Sequence, residues 1–272
     1  MDTIVHSMFR VSQLFIYPIK SLKGISVPAI KLTPTGFEMD RLMMLVDAQG
    51  RFVSQREFPA LCKFEVHLNI KKQSLLVKHR EHEIHVPLRP STNSIKAAVT
   101  VWEDTVEAVV ADSFINQWFT NQLATEVRLV YMPNANSRKA ILPNTQKEVP
   151  VSFADTFPIL LVGEASLKLL QSKINMQIEM ERFRPNLTFT GGEPHAEDLW
   201  KSMVINKLEF AIVKPCARCN VVTLNPLSGI HTEEPLKTLA LYRKVGNKVL
   251  FGQNIIAKEM GYIQVGDSIQ PI

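Results

Sequence analysis

The chain has 272 residues, 46% hydrophobic and 8% aromatic, and its 31 lysines and arginines against 26 acidic residues give a net charge of +5. That length supports one large or two modest globular domains, while basic residues dispersed among acidic ones, with no recognition-helix or zinc-finger spacing, argue against a nucleic-acid reader and leave room for an anionic ligand. Three cysteines cannot build a disulfide framework and fit a reducing, cytoplasmic setting, and "MDTIVHSMFRVSQLF" lacks the features of a secretory leader, nor does any apolar run approach the roughly 20 residues that span a bilayer, so no membrane association is expected.

The first third reads as short strands: "VSQLFIYPIK", "ISVPAIKLT", "RLMMLVDAQGRFVSQ", "KFEVHLNIKKQSLLVKH" and "HEIHVPL". Such spacing suggests a small barrel or sandwich. Gly50, in the break of "LVDAQGRFVSQ", is free to take positive φ in a hairpin turn. His79, His82 and His85 fall on an expected exposed hairpin and read as solvated side chains. The polar pause "RPSTNS" precedes one further strand, "KAAVTVWEDTVEAVV". Asp112 is placed to cap a helix over "SFINQWFTNQL", with Phe114, Trp118, Phe119 and Leu123 on one face. A domain transition is expected around residues 90–115, dividing the chain into 1–100 and 101–272.

Residues 134–153 read as a long surface loop leading to the strand "FPILLVG". Glu164-Ala165-Ser166 opens a second helix, "SLKLLQSKIN", that turns Leu167, Leu169 and Leu170 partly inward. Strands resume at "LTFTG", "KLEFAIV", "CNVVTL", "KVLFGQNIIAK" and "IQVGDSIQPI". The expected fold class is therefore mainly β with a few helices (α+β), an N-terminal β-barrel-like domain followed by a second β-rich domain.

The segment with chemical promise is "KPCARCNVVTLNPLSG", residues 214–229. Its two cysteines precede a β-branched run and not a helix, against the pattern of a thioredoxin-like pair. A zinc site needs four ligands, and this spacing supplies two. A single thiolate can instead ligate a soft metal whose other ligands come from an organic cofactor, with Arg218 favouring ionised sulfur if charge and sulfur meet. Simple packing is the fourth reading, and the residues alone leave all four open.

Five separated segments together narrow the choice. They are Tyr17-Pro18-Ile19-Lys20-Ser21 with Lys23-Gly24, Asp40-Arg41, Asp155-Thr156-Phe157-Pro158 followed by "GEASL", Phe183-Arg184-Pro185-Asn186, and "PCARC" with "TLNPLSG". "EPLKTLALYR" and "FGQN" extend the pattern toward the carboxyl terminus. In this order and at this spacing, across nearly the whole chain, they resemble the MOSC family and its amidoxime-reducing component branch. In that family an amino-terminal β-barrel domain precedes a MOSC domain that holds a molybdenum cofactor.

The resemblance implies that Cys219 is the molybdenum ligand, with the pterin dithiolene of a molybdopterin-type cofactor giving two more sulfurs, and that Cys216 is a packing neighbour. It places Lys20, Ser21, Arg41, Thr156, Arg184, Asn186 and Arg218 around the pterin and its phosphate, where cationic donors bind well. Asp155 falls close to the metal, placed to orient water or relay protons, with a turn-capping role as the plain alternative. Phe157 stands where the animal proteins of that family carry a small hydroxyl residue. Trp200 and Tyr17 read as packing and support. Pyridoxal phosphate binding comes with the resemblance only as a family-level association.

The implied activity is a molybdenum-dependent oxidoreductase that removes oxygen from small N-hydroxylated compounds such as hydroxylamines, amidoximes and N-hydroxylated bases. The alternatives are a non-catalytic molybdenum-cofactor carrier and a sulfur carrier with a persulfide on Cys219. No glycine fingerprint for nicotinamide or flavin is present, and three cysteines cannot supply a four-cysteine cluster. A separate electron donor, flavodoxin-, ferredoxin- or cytochrome-like, is therefore expected, and a +5 surface suits an acidic one.

Overall fold

The computed structural model describes residues 9–143 and 145–272; the reading of the leader rests partly on residues 1–8 and lies outside them. Among the described residues the fold is mainly β with three α-helices, as the sequence leads one to expect. Seven strands close into a barrel in the order Ile159–Gly163, Leu187–Thr190, Phe9–Ile16, Ser268–Pro271, Ser202–Ile205, Leu208–Arg218 and Lys248–Ala257, the last pairing back to the first. Closure leaves the seven barrel strands without a free edge among them, while Ile25–Val27 and Lys244–Val245 add to the sheet outside the closed path. The barrel is filled by Leu14, Ile16, Leu161, Phe189, Ile205, Phe210 and Ile255 among others. Ile159–Gly163 and Leu187–Thr190 run parallel, and the helix Glu164–Ile174 lies in the crossover such a pair needs. Leu167 and Leu170 are buried on that helix.

The barrel takes its third strand, Phe9–Ile16, from the start of the chain. The chain then leaves it at Tyr17 to build a second body with its own core. There Met43–Val46, Arg128–Tyr131, Asp104–Val110 and Lys96–Val101 form one sheet, and Glu65–Asn69, Ser74–His79 and His82–Pro87 another. Leu45, Phe64, Leu75, Val77, Ile115, Phe119 and Leu129 pack together with the helix Ser113–Leu123. The turn at Gly50 forms as expected, with φ of 81°, and a Cβ there would sit 2.7 Å from the carbonyl oxygen of Ala98.

Several local expectations are corrected. "KAAVTVWEDTVEAVV" is not one strand but a hairpin, Lys96–Val101 against Asp104–Val110. The loop 134–153 carries a hairpin of its own, Lys139–Ile141 with Glu148–Pro150. Asp112 precedes the first helix but makes no side-chain cap; its Oδ1 instead accepts from Ser91 Oγ at 2.8 Å. Ile115 faces the core and Phe114 is exposed, because the buried stripe starts one position later than the aromatic residues suggest. His79 is core: its ring stacks on Phe64 at 4.1 Å and its Nδ1 meets Gln122 Oε1 at 2.9 Å. "CNVVTL" is not a strand; Asn220–Thr223 form a single 3₁₀ turn, closed by Thr223 Oγ1 donating to the Asn220 carbonyl at 2.7 Å. Among the described residues no helix is long and apolar enough to cross a membrane.

Candidate functional site

A cavity of about 420 Å³ opens where the segment leaving the barrel at Tyr17 meets the end of the strand Leu208–Arg218. All nine residues singled out above line it: Lys20, Ser21, Arg41, Asp155, Thr156, Arg184, Asn186, Arg218 and Cys219. Three of them have left-handed backbones, with φ of 71° at Ser21, 51° at Arg41 and 52° at Arg184. Such conformations disfavour residues with a Cβ and persist where surrounding contacts enforce them.

Those contacts begin at Tyr17, buried at the end of the first strand. Its backbone N–H donates to Asp40 Oδ1 at 2.8 Å and its hydroxyl to the Pro185 carbonyl at 3.1 Å. Arg41 donates through Nη1 to Asp40 Oδ2 at 2.6 Å and to Asn186 Oδ1 at 3.1 Å. Asn186 also accepts from the Leu160 N–H and donates to the Phe15 carbonyl. Its amide is thus committed to the protein, and it orients Arg41 from behind. Ser21 Oγ similarly donates to the Val53 carbonyl at 3.3 Å.

Two guanidinium groups lining the cavity are incompletely paired. Arg184 Nη1 donates to the Leu22 carbonyl at 2.8 Å, but its Nη2 is buried with no partner. Arg218 donates through Nε to Phe251 and through Nη1 to Phe183, at 3.0 and 3.1 Å, and its Nη2 is likewise buried and unpartnered. A buried charged donor left unmade is destabilising. Burial, opposed by Tyr17 and reinforced by Arg41, lowers Arg184 to about 10, so it remains a cation at neutral pH. Burial would also lower Arg41, but the adjacent Asp40 carboxylate raises it overall. A cleft with cationic donors waiting for acceptors fits a phosphate-bearing ligand.

The sulfur edge differs from expectation. Cys216 lies on Leu208–Arg218, whose register slips between Ile212 and Lys214 and again between Pro215 and Ala217, and Cys219 follows the strand's end. Both are free thiols lining the cavity. Arg218 turns its guanidinium to backbone carbonyls, and the cation at the sulfur is Arg56, whose Nη2 lies 3.3 Å from Cys219 Sγ. The Arg56 guanidinium also lies over the ring of Trp102, 4.6 Å from its centroid.

Asp155 stands at the mouth. Its Oδ1 accepts from Lys20 Nζ and, at 3.2 Å, from Trp102 Nε1, and its side chain is 65% exposed. Desolvation would raise its pKa, yet Lys20, Arg41 and the indole N–H together hold it well below the ordinary carboxylate range. Lys20 is 7% exposed and also donates to the Phe153 carbonyl at 2.7 Å; burial outweighs Asp155 and lowers its pKa. Thr156 is exposed beside Asp155, and Phe157 is buried in the wall with Lys214 Nζ 5.1 Å from its ring centroid.

Arg56, Trp102 and Phe52 escape sequence reasoning, since a charge in "SQREF" reads as solvated and a tryptophan in a β run as packing. Trp200 is packing as expected, edge-on to Phe9 at 5.0 Å. Among the described residues no group of three or more His, Cys, Asp or Glu is placed to hold a metal ion.

Comparison with known proteins is consistent along the whole length. The MOSC N-terminal beta barrel domain matches residues 8–126, and the MOSC domain matches residues 148–270. The human mitochondrial amidoxime-reducing component 1 is 30% identical over 98% of this chain and 84% of its own. Mitochondrial amidoxime reducing component 2 of Macaca fascicularis is 32% identical over 95% and 82%. The molybdenum cofactor sulfurase of Arabidopsis thaliana is 28% identical over 96% of this chain, which spans 35% of that longer protein. The family-level association with pyridoxal phosphate gains no support from these matches. With both domains matched in order and nearly the full chain aligned, the protein belongs to the MOSC family, a MOSC N-terminal beta barrel domain followed by a MOSC domain.

Proposed function

We propose that this protein is a molybdenum-cofactor-dependent oxidoreductase that removes oxygen from small N-hydroxylated compounds. The observation that carries the reading is the pair of buried, unpartnered Nη2 donors of Arg184 and Arg218 in the same cleft as the free thiol of Cys219. An anionic pterin phosphate would satisfy such donors, and a thiolate at the rim is a suitable ligand for a soft metal. The names of the amidoxime-reducing relatives direct the choice of substrate.

When bound, the cofactor supplies two-electron oxygen-atom chemistry; overall the N-hydroxylated compound gains two electrons and two protons and loses its oxygen as water. Cys219 supplies one sulfur ligand. Lys20, Arg41, Arg184 and Arg218 hold the anionic part, with Ser21, Thr156 and Asn186 shaping the cradle. Asp155 is ionised at neutral pH, and with Oδ1 engaged by Lys20 and Trp102, its Oδ2 is the atom for orienting water or passing a proton. Electrons come from a separate flavodoxin-, ferredoxin- or cytochrome-like protein. Three free thiols suit a reducing compartment such as the cytoplasm.

The test is molybdenum analysis and turnover of an amidoxime with an artificial reductant, using protein made in a host that synthesises the cofactor. Cys219→Ala is expected to lose turnover and disturb the metal centre, while Cys216→Ala keeps most of both. A molybdenum-loaded parent that turns over no N-hydroxylated compound would identify a carrier. Persulfide on Cys219 without molybdenum would identify a sulfur carrier.

A further inference from the structure

The cleft continues beyond Cys219. Phe52, Ser54, Arg56 and Trp102 line both it and a second cavity of about 790 Å³ on the amino-terminal body. A volume of that size is ample for a drug-sized ligand.

Trp102 is the anomaly at this junction. It is the first of two residues joining Val101 to Asp104, which pair across the hairpin, and its φ is 57°. A two-residue turn with positive φ at that position is the place for glycine or asparagine. A bulky side chain there is strained by its own Cβ against the backbone. The residue is also 42% exposed, so burial does not offset the strain. Its contacts all lead to the site: Phe52 at 4.9 Å between ring centroids, the Arg56 guanidinium that reaches Cys219, and Asp155 through Nε1. Strain held at a cavity junction by such contacts points to use.

We propose that Trp102, with Phe52 and Arg56, is the substrate-recognition wall, and that the second cavity holds the body of a planar aromatic N-hydroxylated compound whose N–O end reaches toward Cys219. The exposed indole offers an aryl ring a stacking or edge contact, and Arg56 stands between that contact and the sulfur to meet the polar end. This inference rests on the proposed function and adds where, and by which residues, the substrate is chosen.

The experiment compares parent, Trp102→Phe, Trp102→Ala and Trp102→Gly as molybdenum-loaded full chains. The readout is the ratio of kcat/KM for benzamidoxime to that for acetamidoxime, with molybdenum content and thermal midpoint alongside. Alanine and glycine are expected to lower the ratio about tenfold, an aromatic contact's worth. Phenylalanine keeps the ratio within about twofold while slowing both substrates, because Asp155 loses the indole donor but the aromatic surface stays. Glycine also raises the thermal midpoint by relieving the left-handed turn, which a purely structural tryptophan would not do. An unchanged ratio in Trp102→Ala, or one lost as fully in Trp102→Phe, overturns the proposal. Calorimetric binding of benzamidoxime without reductant separates the two readings. If the parent turns over neither compound, the function fails, and equal affinity in parent and Trp102→Ala then sinks the wall as well, whereas at least fivefold weaker binding in the variant, a fraction of that same contact, supports the wall on its own.

Discussion

The guanidinium groups of Arg41 and Arg184 both lie over the ring of Tyr17, 4.3 and 4.2 Å from its centroid. One buried aromatic thereby supports two like charges that repel each other, with Asp40 compensating Arg41 directly. The ring also fixes the turn: a Cβ on Gly24 would fall 2.5 Å from Tyr17 Cε1. Tyr17→Phe removes only the hydroxyl donated to Pro185 and is expected to destabilise by about 1 kcal/mol. Tyr17→Leu removes the ring beneath both cations and leaves a void, a loss of about 3 kcal/mol. Urea unfolding measures both, and molybdenum content should fall with leucine but not with phenylalanine. Equal unfolding midpoints for parent and Tyr17→Leu would contradict this role.

The unpartnered Nη2 atoms of Arg184 and Arg218 make a prediction for cofactor-free protein. Inorganic phosphate should bind there and stabilise the fold by mass action, by about 1.4 kcal/mol at ten times its dissociation constant. For a chain of this size that raises the thermal midpoint by roughly 2–4 °C. Chloride at matched ionic strength should not reproduce the shift, and Arg218→Gln should abolish most of it. Identical midpoints in phosphate and chloride would mean that the two donors are satisfied by water.

How much of this was legible in the chain depends on distance. Strands with a marked period, such as "KLEFAIV", and the helices before Leu123 and Ile174 follow from local pattern. The convergence of Lys20, Arg41, Asp155, Arg184 and Arg218 on one cavity does not, because no periodicity links residue 20 to residue 218; only family motifs put them on one page. Phe9–Ile16 crossing into the carboxyl-terminal barrel is likewise a long-range pairing without a local sign. His79 misleads because a hairpin with polar neighbours looks exposed until Phe64 and the helix residue Gln122 cover one face. Arg56 was hidden for the opposite reason: isolated surface arginines are common, and only the fold brings residue 56 to residue 219.

His195 gives a prediction of opposite character, remote from catalysis. Both ring nitrogens are buried without a partner, the ring faces Tyr242 and Phe251, and the backbone is left-handed with φ of 63°. Burial first, and then the Arg243 charge, lower its pKa to about 4, with Asp198 opposing. An unfolded histidine titrates near 6.5. Between those values the unfolded chain binds a proton that the folded one refuses, so this residue's effect is to reduce stability progressively as pH falls from about 6.5 to about 4. Buried Glu197 next to it, raised by desolvation, acts in the other direction: its contribution is present at low pH and lost as pH rises through its folded pKa. Comparing parent with His195→Asn removes Glu197 and the remaining carboxylates from the difference, and asparagine tolerates the backbone. From pH 7 to pH 4.5 the parent should lose at least about 1 kcal/mol more than the variant in urea unfolding, a figure discounted for partial exposure. Parallel losses would mean that the imidazole finds a proton acceptor in the fold after all.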